Sequence, residues 1–517
     1  MTEPEARRRG GGRGGRGGGG SEAGPAETGA YLQLKHPFAS QVAFSDDQIA
    51  AIHDGALRVL EELGIRFLLP EARQLFRAGG AIVDEDGLIV RVGREMVGAA
   101  LATAPKSIRL RAANPKREQD YTLGSMLFMA GCGCPNAYDR ERGRRPGTMA
   151  DYLETLQLQQ SFDVMHVLGP TLEPQDVPTN LRHYAMTQAQ LVNCDKPMHV
   201  YARGRAQVEQ CFEMIRLARG LDSAGFEDGA WATTIINSNS PRLYDNPMAR
   251  GIIDFARAKQ LAIITPFCLA GAMAPITVSG ALMLQHAEAL AGIVLSQLAR
   301  PGAPVSYGAF LSNVDMKSGS PAFGTPEHVR ASIGSGQLAR HIGLPWRCAA
   351  GAASNAPDSQ AAQETTMGLW GATLGGATLT VHAAGWLEGG LTFGYEQFII
   401  DMEAVQTLAE LARPAPADAA ALGFDAIADV PPSGHFFSTE HTMARYQSAF
   451  YRPLLADLSN HGNWVAAGSK TAEERATSIW KQKLETFTPP PACAGVEDRL
   501  TDFVRQHSAA GGAKPED

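Results

Sequence analysis

ATLTVHAAGWLEGG, residues 377–390, begins as a β-strand and ends in a glycine-rich loop. Thr378, Thr380 and His382 recur at period two and share one face, while Leu379, Val381 and Ala383 take the other. A strand with one wholly apolar face therefore turns a histidine the opposite way, with Trp386 and Glu388 just beyond it. His382 reads either as a hydrogen-bonded core residue or as a group that meets a bound ligand. The choice depends on what the strand belongs to.

A short β-like run occurs eight times: 126–131 (MLFMAG), 164–170, 197–202, 232–241, 262–267, 304–310, 345–351 and 377–385. Amphipathic stretches such as RAQVEQCFEMIRLARGL and NPMARGIIDFARAKQL separate the runs, and FIIDMEAVQTLAELARP follows the last. Eight such units are the number that closes an α/β fold of the (β/α)8 TIM barrel type. A doubly wound open sheet is the alternative, but no dinucleotide-type glycine fingerprint follows an early strand. Residues 31–121 read as an α+β lead-in. Its helix starts at a Ser45/Gln48 capping box and stops at Gly64, a hairpin turns at Glu85-Asp86-Gly87, and SIRLRAA forms a strand. The expected divisions are a disordered Arg/Gly-rich tail (1–30), the lead-in (31–121), the barrel (122–424) and a helical extension (425–517) packed on it.

Bulk properties narrow the class. The net charge of -8 excludes a general nucleic-acid binder. Seven scattered cysteines fit a reducing compartment, and the Cys132/Cys134 pair has no second pair to complete a zinc site. No apolar run reads as long enough to span a bilayer, and the basic N-terminus lacks the apolar core of a secretory signal. The expected location is the cytoplasm. Exposed helix faces and the long extension leave surface for a homo-oligomer.

In a barrel of this kind the chemistry sits at the C-terminal ends of the strands. Those ends supply Tyr201, Asn237, Asn239, Phe267, Tyr307, Phe310, Arg347, Asn355, His382 and Trp386, with Phe393 and Tyr395 shortly after. Glycine and alanine crowd the same places and leave room for something bulky. His166, His199 and His382 lie on separate strands with no carboxylate at ligand spacing, so no metal set is expected. No nucleophile elbow, phosphate loop or clear proton-transfer pair is present. What remains is aromatic faces, which attract quaternary ammonium groups, and Arg347 beside His382, which can grip a carboxylate.

Five stretches carry a resemblance: INSNSPRLYD (236–245), FCLAGAMAPIT (267–277), YGAFLSNVDMKSGSPAFGTPE (307–327), GAASNAPDSQAAQE (351–364) and HAAGWLEGGLTFGYEQFIIDME (382–403). Over about residues 32–485 the chain resembles the trimethylamine methyltransferase-like enzymes, in their branch without pyrrolysine. The resemblance implies a (β/α)8 barrel that transfers a methyl group from a quaternary amine such as glycine betaine to the cobalt of a separate corrinoid protein. No tightly bound cofactor of its own is implied, and the partners are that protein and the amine. Asn355 falls at or beside the place that pyrrolysine takes in the archaeal members.

On this reading Arg347 and His382 hold the substrate carboxylate. Trp386, Phe393, Tyr395, Tyr201 and Tyr307 are the cage candidates, Asn237 and Asn239 orient the substrate or meet the corrinoid, and Asn355 fills space. A neutral tertiary amine leaves without a proton, which fits a mouth lacking an acid–base pair. The cation also loses its charge as the bond breaks, so a soft aromatic wall opposes the reaction less than a fixed carboxylate would. A non-catalytic binding protein for quaternary amines, and a methyltransferase for another methylamine, are the alternatives. A barrel aldolase would want a lysine on a strand run, and none of the eight contains one.

Overall fold

The computed structural model describes residues 31–516, and the expected tail of residues 1–30 lies outside the described residues. The eight runs are the consecutive staves of one ring. Seven are strands: Ser125–Phe128, Met198–His199, Ala232–Ile236, Leu261–Ile264, Val305–Gly308, Trp346–Ala349 and Leu379–Val381. From Met198–His199 onward they pair in parallel in chain order, and the last pairs with the first, Leu379 opposite Leu127. The second stave, residues 164–168, is held by single contacts. Val167 bridges Met129, and the Leu168 N–H donates to Pro197 O at 2.9 Å. Pro197 has no N–H to return, so no ladder forms there. Leu34–Lys35 adds to the first strand antiparallel, on the outside of the run order.

A helix follows each stave, and the sequence starts most of them explicitly. Side chains of Thr148, Asp245, Thr277, Thr325 and Asp358 each accept a first-turn N–H. Alternation along the strands then makes two cores. Leu127, Met129, Val167, Leu261, Ile263, Leu379 and Val381 fill the lumen, while Met126, Phe128, Ala262 and Ile264 face the helices. The lead-in closes the lower end of the lumen. Its hairpin of Ser107–Leu110 and Gln119–Thr122 brings Ile108, Leu110 and Tyr121 into the lumen core, and the Tyr121 hydroxyl lies 2.8 Å from Ser306 Oγ.

The remainder of the lead-in follows its sequence closely. Helix Asp46–Arg58 begins at the Ser45/Gln48 capping box and passes through a π-turn to Gly64 at φ 71°. The hairpin pairs Ile82–Asp84 with Ile89–Arg91.

Two expectations need correction. Helix Val278–Ala299 has the length and apolarity to cross a membrane, with a mean hydropathy of 1.4 over its best window. That window is 78% buried inside the protein, because the helix is sandwiched between the barrel and lead-in helices Asp46–Arg58 and Arg94–Thr103. A helix covered on all sides is apolar on all sides. The extension packs on the barrel only in part. Helix Ala472–Glu485 lies on helix Tyr395–Leu411, with Trp480 Nε1 donating to Glu396 at 2.8 Å, and Val496–Ala509 lies on Arg205–Arg219. Residues 414–450 bury only Ala426.

Helices Pro326–Ile342 and Ser359–Gly375 approach through glycine. A Cβ on Gly336 would sit 2.0 Å from Gly375 O and 2.9 Å from the Trp346 ring. Gly336→Ala should therefore destabilise the fold by about 1–3 kcal/mol through overpacking. Chemical denaturation would read this as a lower midpoint with an unchanged slope.

Candidate active site

At the C-terminal ends of the staves lies a cavity of about 360 Å³. It is lined by Cys132, Gly133, Pro170, His199, Tyr201, Ile235, Asn237, Phe267, Phe310, Arg347, His382, Trp386 and the loop Gly389-Gly390-Leu391. No lining residue is acidic.

Arg347 is central. It alternates with Trp346 and Cys348 on its strand and lies opposite Leu379, a lumen residue. Its side chain is 2% exposed, and burial pushes the guanidinium down to about 10. Among the described residues no carboxylate pairs with it. Nη1 donates to Ala309 O at 3.3 Å, Nη2 meets His382 Nε2 at 3.1 Å, and Nε has no partner. The guanidinium sits 5.2 Å from the centre of the Phe310 ring.

His382 reaches this group by breaking the alternation of its strand. Leu379 and Val381 face the lumen, so period two alone would send His382 outward with Thr378 and Thr380. Its backbone is left-handed instead, at φ 56°, a conformation costing about 1–2 kcal/mol for a non-glycine residue. The imidazole is thereby stacked on Trp386 at 4.3 Å and lies 5.4 Å from Phe310. Burial, reinforced by Arg347, holds it neutral. The Cys132 N–H points at His382 Nδ1 at 3.2 Å. A neutral imidazole carries one N–H and Arg347 only donates, so one of the two ring contacts sets donor against donor. With Arg347 Nε also unmatched, the corner holds a surplus of donors.

Trp386 accounts for the crowded glycines. A Cβ on Gly351, Gly390 or Gly131 would lie 2.3, 2.4 or 3.1 Å from its side chain. The bulky group that those small residues admit is the protein's own indole. Phe310 lies 5.7 Å from Trp386 and 4.9 Å from Phe267, so three aromatic rings run continuously along one wall.

Of the residues expected at the site, Arg347, His382, Trp386, Tyr201 and Asn237 line the cavity. Tyr201 donates its hydroxyl to Glu173. The other five lie elsewhere. Tyr307 points outward, its hydroxyl 3.2 Å from His286 Nδ1. Phe393 is fully buried against Phe398, and Tyr395 donates to Glu154 at 2.6 Å beneath the Arg142 guanidinium. Asn239 is exposed and ties a turn to Asp245 at 3.1 Å. Asn355 is exposed on the loop after Trp346–Ala349. Cys132 and His199 are lining residues that the sequence did not single out for the site. His199 lies within the strand run 197–202, which was its one available signal.

Fold and site define a barrel enzyme with a small-molecule pocket at its strand C-termini. A family model described as trimethylamine methyltransferase (MTTB) matches residues 9–512. A glycine betaine methyltransferase of Desulfitobacterium hafniense is 34% identical over 89% of this chain and 96% of its own. A trimethylamine methyltransferase of the same species is 30% identical over 90% and 93%. The solved monomethylamine methyltransferase of Methanosarcina barkeri is 11% identical with a TM-score of 0.43, covering 89% of this chain and 94% of that one. That likeness is too distant to bear on the fold, which rests on the strand order. The chain belongs to the trimethylamine methyltransferase (MTTB) family and is a methyltransferase.

The neutral histidines make stability depend on pH. Burial first, and Arg347 second, push His199 down to about 3. Its Nδ1 lies 3.1 Å from Thr233 Oγ1, whose own hydrogen goes to Met198 O. Unfolded, it titrates near ~6.5. The unfolded chain thus takes up a proton that the folded state refuses. Stability is full above about pH 6.5 and falls as the pH drops toward the folded value. His199→Gln should shrink the stability lost between about pH 7 and about pH 5 by about 2 kcal/mol, read from urea titrations at both pH values.

Proposed function

We propose that the protein moves a methyl group from a carboxylate-bearing quaternary amine, glycine betaine or a related betaine, to the cobalt of a cognate corrinoid protein. The observation that carries the substrate class is the guanidinium of Arg347, buried beside the cavity with no carboxylate partner among the described residues. A carboxylate in that corner accepts from Arg347 and His382 together and removes the donor surplus. Trimethylamine has no group that would do so. The family match favours turnover over simple binding.

The cationic end then lies along Trp386, Phe310 and Phe267, where each well-placed face contributes about 0.5–2 kcal/mol. The absence of acidic lining residues matters here. The amine loses its positive charge as its C–N bond breaks, so a carboxylate would hold the ground state more tightly than the transition state. Aromatic faces do so far less. No proton is needed, since a neutral tertiary amine departs, and the task of the protein is to fix the substrate and present one methyl toward the opening.

The rim suits a flat macrocycle. A Cβ on Gly133 would meet nothing within 4 Å, and one on Gly389 nothing nearer than 3.7 Å. The cobalt of this reading would arrive held by the corrinoid's own ligands. A corrinoid docked at this mouth would supply a low-valent cobalt nucleophile for the methyl carbon.

Arg347→Met tests the reading. With cobalt methylation followed by absorbance, KM for glycine betaine should rise by roughly 100-fold. Turnover of trimethylamine, if measurable, should not change. The unliganded variant should also be more stable by about 1–3 kcal/mol, because a buried charge without a counter-charge has been replaced by an apolar side chain. Equal loss toward both amines would overturn the carboxylate clamp.

A further inference from the structure

Residues 414–470 leave the barrel after helix Tyr395–Leu411 and rejoin it before Ala472–Glu485. This arm is built but has almost no core. Its helices Ala419–Leu422, Phe424–Asp429, Glu440–Met443 and His461–Ala466 are four to six residues long, and Asp418, Thr439 and Asn460 cap three of them. Helices that short do not persist in water on propensity alone and need packing to hold them. Among the described residues, the hydrogen bonds of 414–450 all close within 414–452. Meanwhile ten large apolar side chains between Leu422 and Val465 are 45–84% exposed, with Phe437 and Phe450 the most exposed of them.

We infer that this arm is an interface between two copies of the chain. Four observations select that occupant. Ten such side chains present about 1,000 Å² of apolar surface, above the ~800 Å² that each partner contributes to a stable complex. Next to these knobs lies a hole, a groove of about 380 Å³ at the root of the arm lined by Leu454, Leu455, Trp464 and Ile479 among others. Knobs and a groove on one chain fit a two-fold interface, in which the same patch of each copy meets the other.

Position then argues against the corrinoid protein as the occupant. Helix Tyr395–Leu411 starts beside the cavity loop and runs 17 residues, about 25 Å, before the arm begins. A partner that must reach the cavity docks at the other end of that helix. Charge points the same way. Residues 414–470 carry five acidic and three basic side chains, too few and too mixed to select a strongly charged partner.

Sedimentation equilibrium on the full chain tests this, with the double variant Phe437→Asp/Phe450→Asp as the control. Both side chains are more than four-fifths exposed, so the substitutions remove nothing from the protein's own core. The wild type should sediment as a dimer or higher assembly at micromolar concentration. The variant should dissociate on the order of 100-fold more readily, with unchanged far-UV circular dichroism and betaine binding. Leu422→Ser/Phe424→Ser gives an independent second arm variant with the same expected shift. A monomeric wild type overturns the inference, as does assembly that persists in both variants. Retained assembly with lost methyl transfer to the corrinoid protein would assign the arm to that partner instead and overturns it equally.

Discussion

A guanidinium without a counter-charge, sealed at the C-terminal end of the barrel, sets the character of everything near it. Burial, with Arg347 adding to it, keeps His382 and His199 neutral. It lies over the Phe310 face and presents more donors than the surrounding protein can answer. Water would ordinarily settle such a deficit, but the side chain is almost wholly buried. The free protein therefore carries a cost that a bound carboxylate would relieve, and the interaction proposed to bind a betaine would also be the one that weakens the empty fold.

The left-handed backbone at His382 belongs to the same trade. Strain of this kind persists only where the neighbours over-determine it. Here Leu379–Val381 is pinned between two parallel strands, the Ala383 N–H donates to Met129 O at 3.0 Å, and the Gly385 N–H donates to Asp401 at 2.8 Å. Between those anchors the chain reverses the face of one residue. Trp386 then fills the space that Gly131, Gly351 and Gly390 leave, and its ring holds the imidazole in place. A closed barrel can bear this because its lumen and shell are separately packed.

The arm shows a different balance. Its caps and turns satisfy the backbone locally, while ten of its large apolar side chains stay 45–84% exposed among the described residues. Local structure without a core gains from a covering surface, which is the ground for the interface inferred above.

Much of this was legible in the amino acids. Eight β-like runs separated by amphipathic stretches determined the barrel, and capping residues such as Ser45 and Thr325 marked helix starts. Those signals are local, set by alternation and by hydrogen bonds a few residues apart. Arg347, His382 and Trp386, singled out for their place at strand ends, line the cavity. The tertiary structure decided the rest. Tyr307, Phe393 and Tyr395 read like cage residues yet pack elsewhere, while Phe310 and Phe267 form the wall. An aromatic side chain is the same in either role, and its neighbours come from distant parts of the chain. The face of His382 was likewise beyond any periodicity, because the sign of one backbone angle at the end of a strand depends on what holds both of its sides.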